Sequence, residues 1–260
     1  MCGTQFEAED AAWIALYRAG GAAALTAAIV FRRNLGAELM LLRMLGLIHV
    51  GPATAPRSAL DWFALLQDNK LLGLALFDLC DLINYALVGL VFLALYGALR
   101  RTNQSTSLIA TAFCFVGIAV YMASNQAFSM LALSERYAAA TSDVQRATFL
   151  AAGEALLAIH NPGDIYRGTG IYASLMLVLL AGLIVSIAML RSTVFSKVTA
   201  WMGIVANGLG LGQFLALALV PAILALPPSL SAPFRLAWYI LIAIRLFQLS
   251  RVAEGERSSP

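Results

Sequence analysis

Charge is what this sequence is short of. Only 12% of its 260 residues are Asp, Glu, Lys or Arg, while 61% are hydrophobic and the mean hydropathy is +0.82. Soluble domains carry about 25% charged residues, so this balance excludes an ordinary soluble fold and points to an integral membrane protein. The net charge of +3 is small and spread along the chain, which leaves no basic block for nucleic acid. Lysine is nearly missing. Lys70 and Lys197 stand alone among 17 basic residues, and that skew, with the abundance of Ala, suggests a GC-rich bacterial genome. Cysteine is equally sparse. Cys2, Cys80 and Cys114 offer neither a disulfide framework nor metal-type spacing. The two histidines, His49 and His160, lie far apart, without HExxH or a clustered carboxylate, so no metal site and no cofactor is expected. A basic leader is also lacking: the N-terminus reads MCGTQFEAED, and the first apolar segment is expected to stay as a span.

What the chain does have is long apolar runs. A span needs roughly 20 mostly apolar residues, and segments at about 12–31, 71–99, 107–131, 170–190, 198–220 and 235–250 qualify. Lipid gives the backbone no hydrogen-bonding partner, and period-two alternation is lacking, so the spans are helices. The expected fold is all-α, a polytopic bundle of six spans in a single integral membrane domain over 1–260. A seventh span at about 35–51 is the alternative; it would have to carry Glu38 and Arg43. The loops RRTNQST at 100–106 and RSTVFSK at 191–197 are short and purely basic. Positive short loops face the cytoplasm, so six spans place both termini there, in a cytoplasmic (inner) membrane. The long loops hold two short amphipathic helices, one after Pro56, Arg57 and Ser58, the other from the capping box of Ser142 and Gln145 to His160. Both are expected at the outer interface or capping the bundle, where they would close over the helix ends.

Two carboxylates lie inside the second of these segments. Asp78, Asp81, Asn84 and Tyr85 follow at helical spacing on one face. With Leu71 as the outer edge, Asp78 lies about 10 Å deep and Asp81 about 15 Å. Intramembrane carboxylates are costly unless paired, protonated or wetted, which makes them a functional-site hypothesis. Two so close would not both ionise readily. One reading is a proton or cation site facing a polar cavity; the other is a buried ion pair between helices. Arg245, ten residues after Arg235, matches Asp81 in depth and is the expected partner, with Arg18 a second candidate. Ser124, Asn125, Gln126, Asn207 and Gln213 read as interhelical hydrogen-bonding groups. Gly168 and Gly170 precede the fourth span without the context of a nucleotide loop. No GxSxG elbow is present. An intramembrane enzyme would have to use the aspartates as a dyad sharing a proton, and adjacent turns of one helix fit that poorly.

The strings YRAGGAAAL, FRRNLGAE, FDLCDLINYALVGLVFLALYGALRR, SERYAAATSDVQRATFLAAGEALLAI and NPGDIYRGTGIY resemble a bacterial membrane family, domain of unknown function 4386. The resemblance runs from about Tyr17 to about Phe214. It implies a small multi-helix protein of the cytoplasmic membrane and supplies no activity, cofactor or site. The sequence thus leads to passage or sensing of a small solute or cation, coupled to protonation at the aspartates. The alternatives are an accessory or stress-related membrane protein and the carboxylate-dyad enzyme. Its expected surroundings are the lipid bilayer and a small solute or cation, with no nucleic acid.

Overall fold

The computed structural model describes residues 13–33, 56–162 and 167–258, which are helical with no strand among them. The alternative span at 35–51 lies outside the described residues. Helix α1 (Ile14–Arg33) is alanine-rich, and its Ala23, Ala24, Ala27 and Ala28 are buried. Small side chains let helix backbones approach closely, which matters in lipid because no hydrophobic force drives apolar helices together. At Gly20 a Cβ would sit 2.2 Å from the Cβ of Ala94, so the contact admits no larger residue.

Four short helices form a separate cap. Helix α2 (Ala59–Asp68) starts where expected, after Ser58, and its first turn forms a capping box, where one is expected only at Ser142. The Ser58 hydroxyl accepts from the Asp61 N–H at 3.1 Å, and the Asp61 carboxylate accepts from the Ser58 N–H at 3.1 Å. Helix α3 (Lys70–Leu74) follows at once. A π turn (Ala75–Leu79) then leads into the long helix α4 (Cys80–Ser124). Helices α5 (Ala127–Ala139) and α6 (Asp143–Ile159) complete the cap. Ser142 caps α6 by accepting from the Gln145 N–H, but the Gln145 side chain reaches back to the Thr141 N–H instead of closing the box on Ser142. Ala59, Trp62, Phe63, Leu66, Phe77, Met130 and Leu157 make the cap core. Glu154 on α6 accepts from the Ala59 N–H at the start of α2, at 2.8 Å, where the helix dipole favours a negative charge.

Helix α4 is two legs. Asn103 leaves helical geometry (φ −153°, ψ 71°), and the polar run around it marks the reversal. The legs lie against each other, with the Tyr85 and Tyr121 rings stacked at 3.9 Å and Gly89 facing Ile118. Helix α7 (Thr169–Leu190) packs on α4, and α8 (Lys197–Leu219) packs on α7. Beyond the 3₁₀ turn Pro221–Ile223, α9 (Leu226–Ser258) packs on α8 and on α1, which returns to α4 and closes the ring.

Four stretches, Lys70–Ala139, Thr169–Leu190, Lys197–Leu219 and Pro221–Val252, are long and apolar enough to cross a membrane; Ile14–Val30 is apolar but shorter. Leu108, Ile109, Phe113 and Val116 on α4, with Leu215 and Leu219 on α8, point outward, as lipid-facing residues do. The second expected span does not run unbroken from 71 to 99. Its first residues belong to the cap, and the membrane helix starts at Cys80. The last span begins nine residues before its expected start at 235, because Pro227 and Pro228 sit in the first turn of α9, where a missing N–H costs nothing.

Phe77 is fully buried, edge-on to Trp62 at 4.7 Å, and pins the π turn to the cap. Phe77→Ala should cost about 3–5 kcal/mol and open 56–79 and 127–160 to limited proteolysis before the helices α7–α9. In α2, the Ser58 hydroxyl holds the Asp61 carboxyl below its ordinary value of 3.8, with help from the Ser58 and Arg57 N–H groups. A lowered value adds stability that is present above the ordinary one and is lost as the pH falls through the folded one. Thermal scans should therefore show Asp61→Asn level with the native protein in strong acid and below it near neutrality.

Candidate functional site

The chain passes from cap to membrane helix through Asp78, whose backbone has φ 81°, the positive value that favours glycine. Asp tolerates this region better than most residues, at a cost of roughly 1–2 kcal/mol. Its own side chain is what holds it there. The Asp78 carboxylate is buried, with Oδ2 at 2.7 Å from Nε2 of His160 and Oδ1 accepting from Nη1 of Arg167 at 3.1 Å. The same Arg167 Nη1 donates to Oδ2 of Asp81 at 3.4 Å. His160 is the residue that ends cap helix α6, so one carboxylate joins the cap, the entry to α4 and the entry to α7.

The Arg167 end is positioned by two glycines. Gly168 has φ 85°, and a Cβ there would meet the Ile159 carbonyl at 3.0 Å; a Cβ on Gly170 would overlap the Ser124 hydroxyl. Their smallness brings the start of α7 against both α6 and the second leg of α4. The Arg167 carbonyl then lies 3.3 Å from Nδ1 of His160, which closes the network on itself.

Below this network is a cavity of about 260 Å³. Asp81, Asn84 and Tyr85 from the first leg of α4 line it, with Tyr121 from the second leg. Arg167 and Tyr172 stand at the start of α7, and Gln213, Arg235 and Tyr239 come from α8 and α9. Arg235 donates from Nη2 to the Ser231 hydroxyl at 3.3 Å. The Oδ1 atom of Asn84 and the Oγ atom of Ser174 are buried with no hydrogen-bond partner.

The structure thus brings all four expected residues to one place: Asp78 in the network, Asp81 on both the network and the cavity, Asn84 and Tyr85 on the cavity wall. It does not bring Arg245 there. The Arg245 side chain donates to the Val194 carbonyl and to Gln248, at the far end of α7 from Arg167, roughly 33 Å away at 1.5 Å per residue. The depth match failed because it took Arg235 as the membrane edge, whereas α9 starts at Leu226. Arg235, not Arg245, is the α9 guanidinium at the cavity. Arg18 is on the exposed face of α1, which lies level with Ala94 and Gly97, some 13 residues or roughly 20 Å from Asp81. The partners that sequence reading missed, His160 and Arg167, flank the NPGDIY string. Their signal was an Arg directly before a span and a His directly at a helix end.

Arg167→Gln removes the group shared by both aspartates and should cost on the order of 3 kcal/mol. Arg245→Gln, half-buried in mid-α9 and bonded only to neutral acceptors, leaves no buried charge unpaired and should cost less, about 1–2 kcal/mol. Unfolding in mixed micelles of rising denaturing detergent separates the two; equal losses would place the binding of Asp81 elsewhere.

No curated protein matches the chain, and no solved structure does. A family model described as a domain of unknown function (DUF4386) matches residues 39–248. The match begins after α1, includes every charged residue of the network and cavity, and extends past Phe214 to take in Arg235 and Tyr239. The chain belongs to this family of unknown function, DUF4386.

Proposed function

We propose that this protein binds a small polar solute in the cavity under the cap, for passage or sensing, and that Asp78 and Asp81 link the cap to that cavity. The observation that carries this is Arg167, which bridges both aspartates while lining the cavity. Cavities in helical membrane proteins are built where irregular backbone lines a polar space, and the π turn with its left-handed Asp78 is such a place. Ionisable residues inside membrane helices mark ligand or ion pathways, and Arg235 and Asp81 both face this space.

In this reading the chain crosses a bacterial cytoplasmic membrane six times. The crossings are α1, the two legs of α4, α7, α8 and α9. The basic turns at Arg100 and Arg101 and at Arg191 and Lys197 lie at the end opposite the cap. Arg245 adds to the second of them through Val194, and Arg100 stacks over Trp13 at 4.3 Å beside the first. Positive ends stay inside, so the cap faces out and both termini face the cytoplasm. A second reading, that the aspartates only hold the cap to the bundle, is favoured at Asp78 alone, because His160 and Arg167 already occupy its carboxylate.

Leu175 lines the cavity without belonging to the charged network, so Leu175→Trp should fill it with little harm to the fold. Thermal shift of the purified protein against a broad panel of carboxylates, amines, amino acids, sugars and monovalent cations should raise Tm for at least one class. The shift should vanish in Leu175→Trp. No shift across the panel, or an equal shift in the filled variant, would overturn the proposal.

A further inference from the structure

We infer that the solute is a small organic monoanion, held by its carboxylate at Arg235, and that its binding is linked to one proton kept between His160 and Asp78. This rests on the cavity reading above. The imidazole of His160 has an acceptor on each side: the Asp78 carboxylate at Nε2 and the Arg167 carbonyl at Nδ1. A neutral imidazole has one N–H and would set a lone pair against one of these oxygens. Both contacts are satisfied only with one more proton, either as an imidazolium or as a protonated Asp78 donating to Nε2.

That proton decides the charge of the site. Asp78 reaches His160 from the π turn, Arg167 from the entry to α7, and Asp81 through Arg167; Arg235 faces them across the cavity. The cap presents the ring of Phe77 to His160 at 5.9 Å. Tyr85, Tyr121, Tyr172 and Tyr239 complete the wall as neutral phenols. Among the described residues the two carboxylates and two guanidiniums cancel, so the extra proton leaves one net positive charge, which a monoanion completes. Fixed charge of one sign in a low-dielectric cleft selects its opposite.

A guanidinium has five donors in a planar fork, and the Nε atom of Arg235 is buried without a hydrogen-bond acceptor among the described residues, so Arg235 offers a carboxylate a two-bond hold beside the contacts it already makes, Ser231 among them. The cavity is smaller than the ~300–1,000 Å³ of drug-sized sites, which limits the ligand to a few carbons or a single ring. Val88, Ile171, Leu175 and Val178 give its apolar part a surface. Among the described residues a cation would meet two guanidiniums and a single lining carboxylate, Asp81, which Arg167 already engages. Loss of the proton at higher pH removes the positive charge, and by linkage anion affinity then falls by up to about tenfold per pH unit.

The test is calorimetric titration of the full chain in nanodiscs with three probes of one shape, benzoate, benzamide and benzylamine, and the matching propionate, propionamide and propylamine. Titrations are run between about pH 6 and about pH 8, in buffers of different ionisation enthalpy. One carboxylate should bind at least about tenfold more tightly than its amide and amine, take up close to one proton per molecule at the upper end of the range, and weaken as pH rises. Arg235→Gln should abolish its binding and Arg235→Lys should retain part of it. His160→Gln should bind it without the pH dependence. If His160→Gln fails to fold, the proton uptake of the native protein decides the same point. Preference for an amine, binding without proton uptake, binding untouched by Arg235→Gln, or no binding of either carboxylate would each overturn the inference. The broader cavity reading fails separately, through the wider panel and Leu175→Trp.

Discussion

The Asp78 carboxylate is the tie on which the rest of this structure depends. It is buried, it sits on a left-handed backbone, and its two oxygens bind residues 82 and 89 positions away. A buried carboxylate without partners would cost several kcal/mol, so the network of His160 and Arg167 is required by the same placement that it enforces. Through it the end of α6, the entry to α4 and the entry to α7 share one point. The cavity exists beneath that point because the π turn and the two glycines shape the three entries around it.

The same tie links two parts with different packing physics. The bundle is assembled through small residues, with Gly20 against Ala94 and Gly182 against the Asn207 side chain, where close approach replaces the hydrophobic effect. The cap has an ordinary apolar core around Trp62, Phe63 and Phe77, stitched by capping bonds and by Lys70 to Glu135 at 2.6 Å. Phe77 and Asp78 are adjacent in the chain and point to different worlds, one into the cap core and one into the charged network. That adjacency makes the π turn the joint between cap and membrane helix.

In the proposed reading, the aspartate pair divides its labour. Asp78 is occupied with holding the cap, and Asp81 keeps one side on the cavity. Arg167 serves both, and any proton held by His160 is felt at the cavity through it. A solute site built this way would sense the cap, and a cap built this way would sense the charge of the solute.

Composition and hydropathy pointed to a bundle of apolar helices, four of which are long and apolar enough to cross a membrane, because lipid permits few other solutions, and Pro56 to Ser58 and the Ser142 box marked where cap helices start. The aspartates were legible as a candidate site for the same reason: carboxylates are expensive in an apolar run unless paired, protonated or wetted. Their partners were not legible. His160 and Arg167 lie in a loop that hydropathy treats as surface, and Arg245 matched Asp81 only under an assumed membrane edge. Which basic group meets which carboxylate depends on where α4 and α9 begin and on how α7 seats against α6. Those are decided by Phe77, Gly168 and Gly170 through contacts between residues far apart in the chain, so the tertiary structure alone could assign them.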